Sequence, residues 1–197
     1  MNCAWCKTKE CYQGKDCTDI TDEVLRSYSD SPADLKMARV SAELEGTYYM
    51  KMTRLEELTA FAAKMGYKHL GVAFCVGMSD EAEILHEILA GHFQVSSVCC
   101  KVCGIEKERF DLTKIDKERT EAMCNPIGQA TVLNNEKTDL NIIFGLCIGH
   151  DILFTRHSEA PVTTLVVKDR VLAHNPIGAV YSGYYRRNTF DVGAKKE

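Results

Sequence analysis

The chain reads as an α/β protein: an open parallel sheet of about four strands with helices on both faces, preceded by a cysteine-rich, metal-binding segment. Three observations predict this. From residue 53 onward, short apolar runs alternate with helical patterns, the arrangement of βαβ units. A length of 197 residues and 45% hydrophobic content suit one substantial core with a small appendage. Four of the ten cysteines fall in residues 3–17, where apolar periodicity is lacking.

Taken in order, residues 1–30 are polar and loop-like, and would need a metal to organise them. The expected division is therefore a metal- or cluster-binding segment over 1–30 and an α/β domain over 31–197. Ser31-Pro32 opens a helix, with Ser as N-cap and Pro at N1, running to about Gly46. Thr53 and Glu56 make a capping box for the next helix, striped by Leu55, Leu58, Ala62 and Met65 and ended by Gly66. Residues 68–75 read as a buried strand. Ser79 caps a helix whose core face holds Ile84, Leu85, Ile88, Leu89 and Phe93. A second strand covers 94–100. Residues 105–123 are charged and irregular, with room for one helix. Asn125-Pro126 starts another helix. Strands follow at 140–147 and 163–168, and short helices at about 150–157 and 176–182.

The net charge of −4 leaves no basic footprint for nucleic acid. No apolar run approaches the ~20 residues needed to span a membrane, and Cys, Trp and Lys stand where a signal peptide would be apolar. The expectation is a cytoplasmic protein. Stable disulfides are rare in a reducing cytosol, so metal ligation or thiol chemistry is the first explanation for ten cysteines.

Cys3, Cys6, Cys11 and Cys17 are spaced C-x2-C-x4-C-x5-C. Four thiolates can close a tetrahedral zinc site or an iron–sulfur cubane. Structural zinc sites usually pair two C-x2-C units across a longer loop. Here one such pair occurs, and all four cysteines fall along a single loop. That favours a [4Fe–4S] cluster, with zinc as the alternative and free thiols or a disulfide as the remainder.

Cys75, Cys100 and Cys147 each fall at the carboxyl end of an expected parallel strand, the edge where open α/β sheets bind ligands. Cys124 precedes the Asn125-Pro126 helix start, where free N–H groups favour a thiolate. These four are the candidate ligands of a second centre. Single buried cysteines commonly serve as small hydrophobes, which is the plain alternative. Cys99 is expected on the opposite face from Cys100, and Cys103 is a spare thiol beside Gly104. His150, three residues after Cys147, is a candidate proton donor or ligand. His174 lies in H-N-P-I-G, an echo of C-N-P-I-G at 124–128 that suggests two helix starts of one kind. Lys101, Lys168 and Arg170 could balance cluster charge or hold an anion, or be ordinary solvated charges.

With these residues in hand, the sequence resembles the DUF1847 family, bacterial and archaeal proteins of unknown function often labelled metal-binding. The resemblance rests on the N-terminal C-x2-C-x4-C run, TRLEEL…AKMGY, GVAFCVG, SVCCKV, CNPIGQA, LCIGHD and APVTTLVVKDRVLAHNP. It implies metal binding, and an anaerobic setting that suits oxygen-sensitive clusters. It also implies glycine where this chain has Cys103, which counts against Cys103 as a ligand.

The leading reading is an iron–sulfur oxidoreductase: an N-terminal [4Fe–4S] site passing electrons to a second centre of Cys75, Cys100, Cys124 and Cys147. Its partners would be a redox protein or a small molecule. The alternatives are a zinc-stapled binding module without catalysis, and a sulfur-transfer or desulfurating enzyme with Cys100 or Cys124 as nucleophile. No Walker A loop or G-x-G-x-x-G turn is present. The tail 181–197, rich in Tyr and Arg, could cover a second subunit in a homodimer or its own fold.

Overall fold

The computed structural model describes residues 1–193. The chain divides into two compact units, one over Met1–Lys51 and one from Met52 onward.

The first unit holds two tight 3-10 turns, Cys3–Trp5 and Glu10–Gln13, and two helices, α1 (Thr21–Asp30) and α2 (Pro32–Tyr48), which pack together. Helix α1 corrects the loop-like reading of 1–30. No Gly or Pro interrupts residues 20–30, and Asp22 and Glu23 occupy the first turn, where the helix dipole favours acids. All of residues 1–30 remain exposed, so no apolar core organises the cysteine loop. Helix α2 begins as expected, with the Ser31 hydroxyl accepting the Asp34 N–H at 3.4 Å and Pro32 in the first turn. It belongs to the first compact unit, which runs to Lys51.

In the second unit, α3 (Arg54–Met65) opens on the expected capping box. Thr53 N–H donates to Glu56 Oε2 at 2.7 Å, and Glu56 N–H to Thr53 Oγ1 at 3.4 Å. Then follow β1 (His69–Phe74), α4 (Ser79–Ala90), β2 (Gln94–Cys99), α5 (Pro126–Asn135), β3 (Leu140–Leu146), α6 (His150–His157) and β4 (Val162–Val167). Two short helices, α7 (Ile177–Tyr181) and α8 (Gly183–Asn188), end the described chain. Ser79 is the first residue of α4 and not its cap; its hydroxyl donates to Val76 O at 2.7 Å.

The sheet is four-stranded and wholly parallel, in the order β2-β1-β3-β4. Helices cover both faces, which is why the central strands β1 and β3 read as continuous apolar runs. On one face Leu58 and Ala62 of α3 and Leu85 and Leu89 of α4 pack on Leu70, Val72 and Ile142. On the other, Ala130 and Leu133 of α5 and Phe154 of α6 pack on Ala73, Cys75, Cys100 and Ile143.

Two features shape the carboxyl edge. The chain leaves β1 toward β2 but later crosses to place β3 on the other side of β1, so the topological switch point lies between β1 and β3. There β3 also shifts register at Phe144–Leu146, with Gly145 at φ 73°. Met78 Sδ stands where a Gly145 Cβ would be. The irregularity breaks the strand's alternation, so Leu146 joins Ile143 on the α5/α6 side.

Candidate metal centres

Within the first unit, Cys3, Cys6, Cys11 and Cys17 are all exposed and all line one hollow of about 670 Å³. The loop is held by its own polar contacts. Cys6 N–H donates to Cys3 O at 3.1 Å, and Gly14 N–H to Cys11 O at 3.1 Å. Gly14 sits at φ 91°, a conformation glycine adopts without strain, and lets the chain turn after Cys11. The Asp16 carboxylate ties the far side: it accepts Thr18 N–H at 2.7 Å and the Thr21 hydroxyl at 2.6 Å. Those bonds hold its pKa well below the usual carboxylate range, led by the Thr21 hydroxyl. Cys6 Sγ accepts Lys9 N–H at 3.4 Å, the main reason its pKa is lowered. Four exposed thiols around one hollow, on a loop with no buried side chain, fit a metal-organised segment.

In the second unit, the four cysteines named from sequence lie on four separate segments at the carboxyl edge of the sheet. Cys75 follows β1 and Cys147 follows β3, at the switch point; Cys100 follows β2, and Cys124 precedes α5. Cys100 N–H continues the ladder by donating to Phe74 O at 2.9 Å. Cys75 and Cys100 are buried, while Cys124 and Cys147 are half-buried. Cys124 packs on the apolar group that holds Cys100, each thiol the leading influence on the other's pKa, and Cys100 Sγ accepts Val76 N–H at 3.3 Å. Arg170 Nη2 donates to Cys147 Sγ at 3.1 Å.

These contacts split the thiols electrostatically. The Cys100 thiol brings Cys124 down to about 5, aided by the positive charge of Lys101 and His150. Cys124 in turn, together with burial, pushes the Cys100 thiol far up, so Cys124 is the thiolate and Cys100 stays protonated. The Cys147 sulfur raises the Arg170 pKa, and Cys75 and Cys124 add to it. Cys75, Cys124 and Cys147 therefore act together on Arg170, and Cys100 is linked to them through Cys124 and Cys75.

Sequence comparison bears on which protein this is. A model of a protein family of unknown function, DUF1847, matches residues 11–165. The chain belongs to the DUF1847 family. It is also 57% identical over 192 residues to an uncharacterized protein of Methanocaldococcus jannaschii, covering 97% of this chain and 99% of that one. No solved structure matches it significantly. The matched family span takes in Cys11, Cys17 and all six later cysteines; Cys3 and Cys6 precede it, and Arg170 follows it.

Other residues of this DUF1847 protein fall into place around the edge. His150 is the first residue of α6, its N–H on Cys147 O at 3.0 Å and its charge felt at Cys124. His174 is turned to local use: its Nδ1 accepts Asp169 N–H at 3.1 Å. The C-N-P-I-G and H-N-P-I-G starts differ. Asn125 caps α5 through its side chain (2.8 Å to Gly128 N–H), whereas α7 begins with no side-chain cap. Cys99, the last residue of β2, packs against the same apolar group as Cys100 and not on the opposite face expected of it. Cys103 is exposed with φ 70°, a left-handed backbone that suits glycine. Lys101 Nζ donates to Ala122 O at 2.6 Å, and Lys168 Nζ stands 3.7 Å from where a Gly77 Cβ would be.

Sequence reasoning missed Gln129. It is fully buried on α5, and its Nε2 donates to Phe74 O (3.1 Å) and Val98 O (2.7 Å), the carbonyls just before Cys75 and Cys99. Its polarity inside the apolar face of α5 was the signal. Among the described residues, no three His, Cys, Asp or Glu side chains lie close enough together to grip a single ion. No helix among them is long and apolar enough to cross a membrane.

Proposed function

We propose that this DUF1847 protein is a cytoplasmic iron–sulfur redox protein with two cysteine centres. Cys3, Cys6, Cys11 and Cys17 would hold a [4Fe–4S] cluster as an electron relay, and Cys75, Cys100, Cys124 and Cys147 a second centre where a small molecule is reduced or oxidised. One observation carries the reading: four cysteines from four separate segments lie at the carboxyl edge of the sheet, Cys75 and Cys147 of them at the switch point. Clusters of this kind supply one-electron transfer. A four-iron core is wider than one ion, which suits a 670 Å³ hollow lined by four thiols.

The chain's own groups have separate tasks. Lys101 and Arg170 offset the negative charge of gathered thiolates. His150, beside Cys124 at the start of α6, is placed to hand a proton to a bound molecule from its imidazole. Phe154, Ala130 and Leu133 keep water from the floor of the site. The electron partner would be a redox protein, and a homodimer is compatible with the exposed Tyr181 and Tyr184.

A second reading is favoured by one specific observation, the Cys124 thiolate held near 5. It makes Cys124 the nucleophile of a sulfur-transfer reaction, with Cys100 as its protonated neighbour.

Replacing Cys124 and Cys147 together with Ser tests the first reading. The expected result is loss of about half the bound iron, with the N-terminal share retained. Iron unchanged by the double substitution contradicts the sheet-edge assignment.

A further inference from the structure

We propose that Cys100 and Cys124 are a switchable dithiol, in which Cys124 attacks a low-molecular-weight disulfide and Cys100 resolves the mixed disulfide into an intramolecular one. The proposal stands whether or not a cluster binds.

Geometry supports it from three sides. Cys124 packs on the apolar group that holds Cys100, across 24 positions of sequence. Asn125 N–H donates to Cys100 O at 2.8 Å. That bond sets the Cys124–Asn125 peptide against the Cys100 carbonyl, and a disulfide asks for Cα atoms about 4.4–6.8 Å apart. The intervening segment is stitched closed, which keeps the pair aligned. Lys101 Nζ bonds Ala122 O at 2.6 Å, and Met123 N–H bonds Ile105 O at 2.7 Å. Glu106 bridges Ala122, and Lys107 pairs with Glu121 at 2.8 Å. Finally, the two sulfurs differ in access. Cys124 is half-buried and reachable, whereas Cys100 is 3% exposed and shielded by the floor of the sheet.

The steps balance. The Cys124 sulfur attacks one sulfur of the disulfide; that S–S bond breaks and a thiolate leaves. The Cys100 sulfur then attacks the Cys124 sulfur of the mixed disulfide, releasing the second thiol with the Cys100 proton. Two electrons pass from the protein to the small molecule, which leaves as two thiols. Once joined, the two sulfurs cannot act as thiolate ligands. Oxidation and metal loading at this edge therefore exclude each other, and the 101–123 segment is locked at its base.

The test uses the full chain, stripped of iron by chelation without oxygen, its iron content measured, then exposed to oxidised glutathione. Free thiols should fall by two through this pair, and digestion should give a 69–101 peptide linked to a 120–137 peptide, with fragment ions assigning Cys100. Cys100→Ser should instead accumulate a glutathione adduct on Cys124. Cys99→Ala should cross-link as the wild type does. A stable Cys124 adduct in the wild type, a link through Cys99 or Cys103, or a Cys100→Ser protein free of adduct would each overturn the proposal. Iron binding on reconstitution is scored separately, so failure of the cluster reading and failure of the dithiol are told apart.

Discussion

Replacing Gln129 with Met should destabilise the protein by about 1–2 kcal/mol and loosen the second centre. Gln129 is 0% exposed and spends both Nε2 hydrogens on the strand-end carbonyls of Phe74 and Val98. Each such bond is worth about 1 kcal/mol net, so their loss costs roughly 2 kcal/mol. Its Oε1 has no hydrogen-bond partner among the described residues, and removing a buried unpaired acceptor returns about 1 kcal/mol. A Met side chain of similar length fills the space at a packing cost below about 1.5 kcal/mol. For a chain of this size the net corresponds to a fall in Tm of roughly 2–8 °C. Gln129→Glu should be worse, by more than about 3 kcal/mol, because it buries an unpaired carboxylate. Urea unfolding of both variants, with iron counted after anaerobic reconstitution, is the assay. A Met variant as stable as the wild type with an unaltered second centre refutes the argument. So does a Glu variant no worse than Met.

Four further outcomes follow from the same geometry. Cys103→Gly should stabilise the fold by about 0.5–1 kcal/mol, because relief of the left-handed strain outweighs glycine's extra chain entropy; a lower urea midpoint, or lost iron, would mean Cys103 is used. In metal-free protein, iodoacetamide should label Cys124 with a half-point near pH 5, against 9.0 for an ordinary thiol; a half-point near 9 would remove the thiolate assignment. Because that folded pKa is depressed, the stabilisation is present in full above pH 9 and lost as pH falls toward 5. Stability of the metal-free fold should therefore rise from pH 5 to 9, and the raised pKa of Cys100 opposes any gain above that window. Cys11→Ser and Cys17→Ser together should remove the N-terminal share of iron and leave the Cys124 and Cys147 share; a loss of all iron would show the two centres are not separate.

Much of the fold was legible because strong local signals agreed with it. Thr53 and Glu56 announce α3, Asn125-Pro126 announces α5, and the apolar runs of β1 and β3 are long enough to mark central strands. Helix α1 was not, because its apolar residues Val24, Leu25 and Tyr28 are few, and none of its residues is buried. In the site, the strand-end positions of Cys75, Cys100 and Cys147 followed from periodicity alone. What periodicity cannot carry is contact across the sheet edge. The Cys100–Cys124 pairing, the Arg170–Cys147 bond and the Gln129 brace depend on how separate loops close, and no spacing encodes them. The same holds for the bulge at Gly145, where a register shift in β3 redirects Leu146.

The central claim is that the thiols hold iron. Purification without oxygen, an absorption spectrum, and a count of iron, acid-labile sulfide and zinc test it most directly. The account predicts a brown protein with broad visible absorption and about eight irons with matching sulfide, two cubanes' worth. A colourless protein that carries zinc alone would contradict it.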